Sequence, residues 1–214
     1  MGQSLNKAII FDFDGTLVDS EITIYQCFQS ITNFLAPERI DYAKNILIGP
    51  PLRDTVSEIL GPHHQDKLNE FVELFIEMHD EQAIKNTQPY PGVIEILKKL
   101  RSKKILMAVA TNKRYSPTIK LINHFDWQEY FTSIECSDSQ SQIRNKDEMI
   151  QEILKNNNFN KAYFVGDTVN DGLSANLNQL PFILALYGYG RNQDWTRVNV
   201  KKVIQDFSEI LKLI

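Results

Sequence analysis

The sequence has little cysteine, no long hydrophobic run and no block of like charge, and each absence excludes a class of protein. Two cysteines, Cys27 and Cys136, are too few for a disulfide-stabilised scaffold, although a single bridge between them remains open. The longest apolar runs, 105–110 and 181–187, are far too short to span a membrane, and residues 1–7 lack the basic and apolar regions of a signal peptide. We therefore expect a protein of the reducing cytoplasm with no membrane partner.

The charge balance excludes a further group of functions. The 214 residues carry 23 basic and 27 acidic side chains, a net charge of −4, with the two signs interspersed. Such a chain has no general affinity for nucleic acid or for an anionic membrane, so an anionic substrate has to be attracted by local charges. The length suits one large domain, or one domain with a smaller insert. We expect a monomer or a homodimer.

The most informative segment is FDFDGTL, residues 11–17, which directly follows the apolar stretch 8–10. Two acidic side chains two positions apart on a strand point the same way, so Asp12 and Asp14 converge at the carboxyl end of the first predicted strand. Their charges repel unless a cation lies between them, and Mg²⁺ prefers carboxylate and phosphate oxygens. The segment predicts a phosphoryl-transfer site with magnesium. The alternative is a strand that ends in a solvated acidic turn.

Two kinds of pattern divide the rest of the chain. From about residue 90 onward, apolar strands alternate with amphipathic helices, which is typical of a doubly wound parallel sheet. Strands are predicted at 105–110, 131–135, 162–165 and 182–186, and helices at 93–100, 116–124, 147–155 and 172–178. The first strand has the same apolar character and is assigned to this sheet.

The segment between the first strand and residue 88 has helical spacing, and no strand is predicted from 38 to 85. The predicted fold class is therefore α/β, a doubly wound, Rossmann-like core with an all-α cap inserted after strand 1. The core comprises residues 1–18 and 89–214, and the cap comprises residues 19–88. Such an insert would cover the strand ends like a lid.

Three predicted strands end in reactive side chains, and ligands of open parallel sheets bind outside the carboxyl ends of the strands. The first strand ends at Asp12 and Asp14. The strand at 105–110 continues into TNK, residues 111–113, and the strand at 162–165 continues into GDTVND, residues 166–171. Lys146 opens a helix between them, where its charge could neutralise phosphate oxygens.

These segments occur in the order found in the haloacid dehalogenase-like superfamily. The sequences DFDGT, VATN, Lys146 and GDTVND resemble the four motifs of its phosphatase branch with a helical cap, the phosphoglycolate phosphatase-like and beta-phosphoglucomutase-like group. The resemblance spans nearly the whole chain. It implies a magnesium-dependent phosphatase that hydrolyses a small phosphorylated metabolite through an aspartyl-phosphate intermediate.

The resemblance also implies the roles of individual residues. Asp12 would be the nucleophile and Asp14 the general acid and base, while Lys146 would act on the transferring phosphate. The phosphate-binding set is Thr111, Asn112 and Gly15. The magnesium set is Asp12, Asp14, Asp167 and Asp171, with Asp14 contributing its backbone carbonyl in relatives.

One departure from the family pattern concerns the catalytic cation. Relatives usually have proline after the catalytic lysine, whereas Asp147 follows Lys146 here. Arg144 is therefore an alternative phosphate-binding cation. We favour Lys146, because Asp147 is placed to begin a helix. Lys146 then lies at the N-terminus of that helix and faces the anion site.

The insert offers one candidate specificity residue. Arg53 follows the turn Gly49-Pro50-Pro51, which resembles the specificity segment of small caps, so we predict that Arg53 contacts a second anionic or polar group of the substrate. The alternative is an ordinary solvated arginine on a helix. No catalytic role is predicted for the histidines, His63, His64, His79 and His124.

Several other functions share parts of this pattern. A sugar phosphomutase of the beta-phosphoglucomutase kind shares every core motif, so it remains an alternative. Dehalogenases and phosphonate hydrolases are disfavoured, because their first motif lacks the equivalent of Asp14. An aspartate-phosphorylated signalling module or an inactive scaffold is the non-enzyme alternative, but signalling receivers are shorter and lack a helical insert after the first strand.

Overall fold

The fold is built around one parallel sheet. The computed structural model describes residues 7–140, 142–157, 159 and 161–213; residues 1–6, 141, 158, 160 and 214 of the predicted core lie outside them. Six strands pair in the order β5-β4-β1-β6-β7-β8, all parallel. They are β1 (Lys7–Phe11), β4 (Leu106–Thr111), β5 (Ser133–Cys136), β6 (Lys161–Gly166), β7 (Phe182–Ala185) and β8 (Val200–Ile204). The short strands β2 (Val18–Asp19) and β3 (Gln88–Pro89) form a separate antiparallel ribbon.

The segment between β2 and β3 is helical, as predicted. Its α-helices are α1 (Glu21–Leu35), α2 (Ile40–Ala43), α3 (Leu52–Leu60) and α4 (Leu68–Asn86). They enclose their own buried cluster, in which the rings of Phe28 and Phe75 stack 4.6 Å apart. Because this cluster is separate from the clusters on the sheet, and because the β2–β3 ribbon brings both ends of the insert together, we propose residues 19–88 as a distinct cap domain.

Helices cover both faces of the sheet, which confirms the doubly wound arrangement. They are α5 (Val93–Ser102), α6 (Tyr115–His124), α7 (Lys146–Asn156) and α8 (Val169–Leu177). Ile9 and Phe11 of β1 pack in one cluster with α5 and α6, whereas Ile10 packs in another with α7 and α8. This alternation is the two-residue period of a strand buried on both faces.

Each predicted strand and helix of the core occurs, with ends within three residues of the prediction. The largest difference is α8, which begins at Val169 because Thr168 and Asp171 cap it reciprocally. Similarly, α7 begins at Lys146, not at Asp147, because Asn145 is its N-cap. Strand β8 was not predicted. Its sequence, VKKVI, contains two lysines, as is common for a strand at the edge of a sheet, and three of its five residues are exposed.

Cys27 and Cys136 are both buried and free, so the bridge left open by the sequence is not formed. Among the described residues, no helix combines the length and the apolar character that crossing a membrane requires.

Candidate active site

The first motif lies at the carboxyl end of the sheet. Asp12 directly follows β1, and its backbone N–H donates to the carbonyl of Val165 in β6 at 2.8 Å. The chain then turns at Gly15, whose φ of +81° is in the left-handed region that favours glycine. A Cβ on Gly15 would lie 2.2 Å from Oδ2 of Asp167. Glycine here lets the first turn pack directly on the acidic segment after β6.

Three buried carboxylates converge at this edge. Asp12, Asp167 and Asp171 each offer an oxygen, and these oxygens all lie within 4.8 Å of one another. Asp12 is 5% exposed, and the other two are fully buried. The structure therefore brings Asp12 of the first motif close to Asp167 and Asp171 of the last motif, as predicted.

Asp167 and Asp171 are held differently. Asp167 accepts the Thr16 hydroxyl at 3.1 Å and the Tyr189 backbone N–H at 2.7 Å, one on each oxygen. Oδ2 of Asp171 accepts the backbone N–H groups of Asp167 and Thr168 and the Thr168 hydroxyl. Asp171 thus caps α8 while its other oxygen, Oδ1, faces the cluster.

Lys146 supplies the cation of the cluster. Its Nζ donates to Oδ1 of Asp171 and lies 2.9 Å from Oδ1 of Asp12. The side chain is 1% exposed, and it reaches the site from the first residue of α7. Arg144 is directed elsewhere, because its guanidinium donates to Glu135 at 2.6 Å. The geometry therefore places Lys146, rather than Arg144, beside the proposed nucleophile.

Burial and mutual repulsion disturb the ionisation of these groups. Burial and the charge of Asp171 raise the pKa of Asp12 to about 7, although Lys146 opposes the shift. Burial and the two neighbouring carboxylates also raise the pKa of Asp167 well above its usual range. Burial alone would lower the pKa of Lys146, but Asp12 and Asp171 outweigh it and raise that pKa. One lysine does not balance three carboxylates at this position.

The donor set fits a divalent metal ion. Oδ1 of Asp12 is buried and has no hydrogen-bond partner within the described part of the chain, despite the nearby Lys146 Nζ. The three carboxylates are hard oxygen ligands, and a bound cation would offset their repulsion. The carboxylate of Asp14 lies outside this group of three, so only its backbone carbonyl remains as the predicted contribution to the metal.

The Asp14 side chain instead meets two other groups. Its Oδ1 accepts the Ser20 hydroxyl at 2.6 Å, and Lys113 Nζ lies 3.0 and 3.1 Å from its two oxygens. Burial opposes its charge, but Lys113 and the Ser20 hydrogen bond hold the pKa of Asp14 below its usual value. Since Ser20 directly precedes α1, the carboxylate lies where core and cap meet.

Thr111 is the last residue of β4, Asn112 follows it, and both line the same pocket. Thr111 is 2% exposed, and its hydroxyl oxygen accepts the Lys113 backbone N–H at 3.1 Å, which leaves its O–H free to donate. Asn112 donates through Nδ2 to the Gly49 carbonyl of the cap at 2.7 Å. Its side-chain donor is therefore directed toward the cap, so a contact with phosphate would come from its backbone N–H.

The pocket between core and cap has a volume of about 110 Å³. Its core side is lined by Asp12, Asp14, Thr111, Asn112, Lys113, Arg114, Pro117 and Lys146. From the cap, apolar side chains, Gly49, Thr55 and His79 of α4 complete the lining. The His79 ring is 5% exposed, and its Nε2 lies 3.4 Å from Lys113 Nζ.

Arg53 does not line this pocket. It is exposed on α3, and its guanidinium donates to Oδ1 of Asn69 at 2.7 Å. Leu52 and Thr55 of the same helix do reach the pocket. The helix therefore presents its apolar side to the pocket and Arg53 to solvent, so the predicted role of Arg53 has no contact to support it.

Three site residues had no role in the sequence prediction. Lys113 directly follows Thr111 and Asn112, so its position after a strand end was a usable signal. Ser20 lies one residue before α1, and nothing in its sequence position indicated a contact with Asp14. His79 gave no usable signal, because the position of one histidine on a helix does not show that the helix passes over the carboxyl ends of the strands.

Comparison with known proteins identifies the group to which this geometry corresponds. The sequence model of the haloacid dehalogenase-like hydrolase family matches residues 9–185. A phosphoglycolate phosphatase of Psychrobacter arcticus is 26% identical over 216 residues, covering 96% of this chain and 94% of that protein. Pyrophosphatase PpaX of Listeria monocytogenes is 27% identical over 168 residues, covering 76% of this chain and 75% of that one. A haloacid dehalogenase-like family protein of Streptococcus pneumoniae has the same fold, with a TM-score of 0.82 at 23% identity and 99% coverage of both chains.

Proposed function

The chain belongs to the haloacid dehalogenase-like hydrolase family and is a phosphatase, and we propose that it hydrolyses a small phosphomonoester through an aspartyl-phosphate on Asp12. The observation that carries this proposal is the convergence of the carboxylate of Asp12, the ammonium of Lys146 and the hydroxyl of Thr111 in one pocket. A carboxylate nucleophile, a cation and a hydroxyl donor are the groups that phosphoryl transfer to an enzyme requires.

In the first step an oxygen of Asp12 attacks phosphorus, the ester P–O bond breaks, and the leaving oxygen takes a proton from the protonated form of Asp14. The pair between Asp14 and Lys113 has to open for Asp14 to carry that proton. In the second step water attacks the phosphorus of the aspartyl-phosphate and gives a proton to Asp14, which releases inorganic phosphate and restores the Asp12 carboxylate. Lys146 and the Thr111 hydroxyl hold the phosphoryl oxygens during both steps. The two reaction steps need no reactants other than the phosphoester and water.

Magnesium is the metal that we propose for the cluster of Asp12, Asp167 and Asp171, with the backbone carbonyl of Asp14 as a further ligand. When bound, it would neutralise charge on the transferring phosphoryl group. The hydrogen bonds from Thr16 and from the Tyr189 backbone hold Asp167 in place. The Thr168 cap does the same for Asp171.

Relatives named phosphoglycolate phosphatase and pyrophosphatase support a small phosphorylated metabolite as substrate. The pocket volume of about 110 Å³ supports the same size class. We propose that the cap opens to admit this metabolite and closes to exclude bulk water during transfer. A cytoplasmic monomer or homodimer is the expected form.

Trapping the intermediate tests this function. The enzyme should turn over p-nitrophenyl phosphate with magnesium, and acid quenching during turnover should leave a phosphoryl group on the peptide that contains Asp12. Asp14→Asn should slow dephosphorylation, so that more phosphoenzyme is trapped. A label on another residue, or turnover without any trapped label, would contradict the mechanism. Transfer of the label to an added sugar phosphate would indicate the mutase alternative.

The acid role of Asp14 has its own test. General acid catalysis typically contributes about a hundredfold to ten-thousandfold, and good leaving groups need it least. Single-turnover phosphorylation of Asp14→Asn should therefore fall more for an alkyl phosphate than for an aryl phosphate. Equal losses for both esters would argue against the acid role.

A further inference from the structure

The side of the pocket formed by the cap differs from its core side. Apart from Pro50, six cap side chains in the lining are apolar, and we call these six the apolar cap wall. They are Ile24, Phe28, Ile48, Leu52, Phe75 and Ile76. Since Asp12 and Lys146 on the core side engage the phosphoryl group, the organic part of the substrate has to face this wall.

The polar side chains around the wall are already bonded within the protein. The His79 ring lies between Lys113 and Asp80, and Arg114, which also lines the pocket, donates to Asp80 at 2.5 Å. The Thr55 hydroxyl donates to the Pro51 carbonyl at 3.3 Å. A hydroxyl-rich substrate would have to break these contacts or leave its own hydroxyls without partners.

Lys113 is also engaged, because its ammonium is paired with Asp14. Using it to bind a carboxylate of the substrate would remove the partner of the proposed acid. The free acceptor on this side is Oδ1 of Asn112, which is buried and has no hydrogen-bond partner within the described residues. One acceptor suits at most one hydroxyl donor.

The pocket volume limits the size of the organic group. Its 110 Å³ is smaller than an apolar cavity of about 150 Å³ that accommodates benzene in another protein. Apolar groups that pack against the apolar cap wall are favoured by removal of their surface from water. A hydroxyl buried without a partner would weaken binding by roughly fivefold to a hundredfold.

We propose, on the basis of the phosphatase function above, that the substrate is a phosphomonoester whose small organic group is predominantly apolar and packs against the apolar cap wall. This distinguishes the chain from an enzyme that acts on sugar phosphates. It also means that phosphoesters with a second anionic group are not the preferred substrates.

Matched phosphonates test the proposal without depending on turnover. Calorimetric titration of the magnesium-containing protein would compare butylphosphonate with 3,4-dihydroxybutylphosphonate, and propylphosphonate with 3-phosphonopropionate. We expect the apolar member of each pair to bind at least about tenfold more tightly. Equal or reversed affinities, or no binding of butylphosphonate at millimolar concentration, would overturn the proposal.

A variant of the cap tests whether the apolar cap wall causes the preference for apolar phosphonates. Ile76→Thr adds a hydroxyl to the wall and should reduce the preference for butylphosphonate by about tenfold, while Ile76→Val should retain it. Ile84→Thr is the matched control, because Ile84 lies on the same helix but is 36% exposed and does not line the pocket. An unchanged preference in a folded Ile76→Thr protein would also overturn the proposal.

The phosphatase function is judged separately, by turnover of p-nitrophenyl phosphate and its loss in Asp12→Asn. If that turnover is present and the dihydroxy compound binds as tightly as butylphosphonate, the substrate inference fails and the phosphatase function stands. If turnover is absent while butylphosphonate binds selectively, the apolar pocket stands and the phosphatase function fails.

Discussion

The core and the cap contribute opposite chemistry to one pocket. The core supplies ionisable side chains, of which Asp12 and Lys146 are buried while Asp14 and Lys113 are 15% and 6% exposed, whereas the cap supplies the apolar wall, Thr55 and one histidine. The core groups are held by backbone N–H groups, by hydroxyls and by each other. The cap wall is held by packing among helices. The difference indicates that reaction chemistry depends on the core and substrate choice depends on the cap.

The largest effect should come from the proposed nucleophile. Asp12→Asn keeps the shape but not the charge, so turnover of every substrate should fall by on the order of 10⁴-fold or more. Lys146 stays paired with Asp171, so the melting temperature without metal should not fall. Kinetics on an aryl and an alkyl phosphate, with thermal unfolding, would check both points. Asp66→Asn, at an exposed position, is the control; substantial residual activity in Asp12→Asn would refute the assignment.

The second effect separates the two candidate cations of the core. Lys146→Met should lower kcat by roughly a hundredfold to a thousandfold, because it removes the charge beside Asp12. Arg144→Met breaks only the pair with Glu135, so it should lower the melting temperature with little change in kcat. Comparing the two variants on one aryl phosphate is sufficient. A larger kcat loss in Arg144→Met would reverse the assignment.

The proposed metal site lies in the core, so removal of the metal should affect activity and leave the structure of the cap unchanged. Chelation should abolish activity, and Asp167→Asn should raise the magnesium concentration for half-maximal activity by about tenfold, since it loses a ligand charge. Asp171→Asn should mainly reduce stability, because Asp171 caps α8 and bonds Lys146. Magnesium titrations and melting curves of both variants would decide this. Activity that persists with chelator would contradict the metal site.

A smaller effect should appear in the pH dependence of stability. Burial and Lys113 lower the pKa of His79. As pH falls through about 6.5, the unfolded chain binds a proton here while the folded protein does not, so His79 destabilises the folded state at lower pH. Denaturant unfolding of His79→Gln between pH 7.5 and 5.5 should show less loss of stability on acidification than wild type.

His124→Gln is the control for this measurement, because His124 is an exposed histidine of the core. It should follow the wild-type pH dependence. A His79→Gln slope equal to that of wild type would mean that the core–cap contact of His79 does not affect its ionisation.

The smallest effect is expected at Arg53, on the outer side of the cap. Arg53→Ala loses a hydrogen bond to Asn69 at the surface and should change kcat and KM by less than about twofold for every substrate. Steady-state kinetics on the substrates above would check this. A KM increase confined to doubly anionic substrates would restore the specificity role predicted from the sequence.

The core was predictable to a large extent. The family, the parallel sheet, the helical insert and the phosphatase class all followed from the sequence and are confirmed by the structure and the relatives. Motifs such as DFDGT and GDTVND lie directly after strands, so fold topology alone brings Asp12 and Asp167 to the same edge. Strand β8 was not predicted, because an exposed strand at the edge of a sheet lacks a regular spacing of apolar side chains.

The cap was predictable only as helices. Its periodic apolar residues indicate that each helix has a buried side, but not whether that side meets another helix or a substrate. Arg53 illustrates the problem, since its helix reaches the pocket through Leu52 and Thr55 while the arginine faces solvent. His79 illustrates the converse, because it reaches Lys113 from a helix 34 residues away in sequence.

The sequence by itself determined the fold class, the family and the residues able to perform phosphoryl transfer, because these depend on short motifs attached to strands of regular geometry. Only the tertiary structure decided that Lys146 rather than Arg144 meets Asp12, that Lys113 and Ser20 hold Asp14, and that the cap presents apolar side chains. The physical reason is that these contacts join segments that are far apart in the sequence, some within the core and some across the core–cap boundary. Their geometry depends on how the helices pack on the sheet, and local spacing carries no record of that packing.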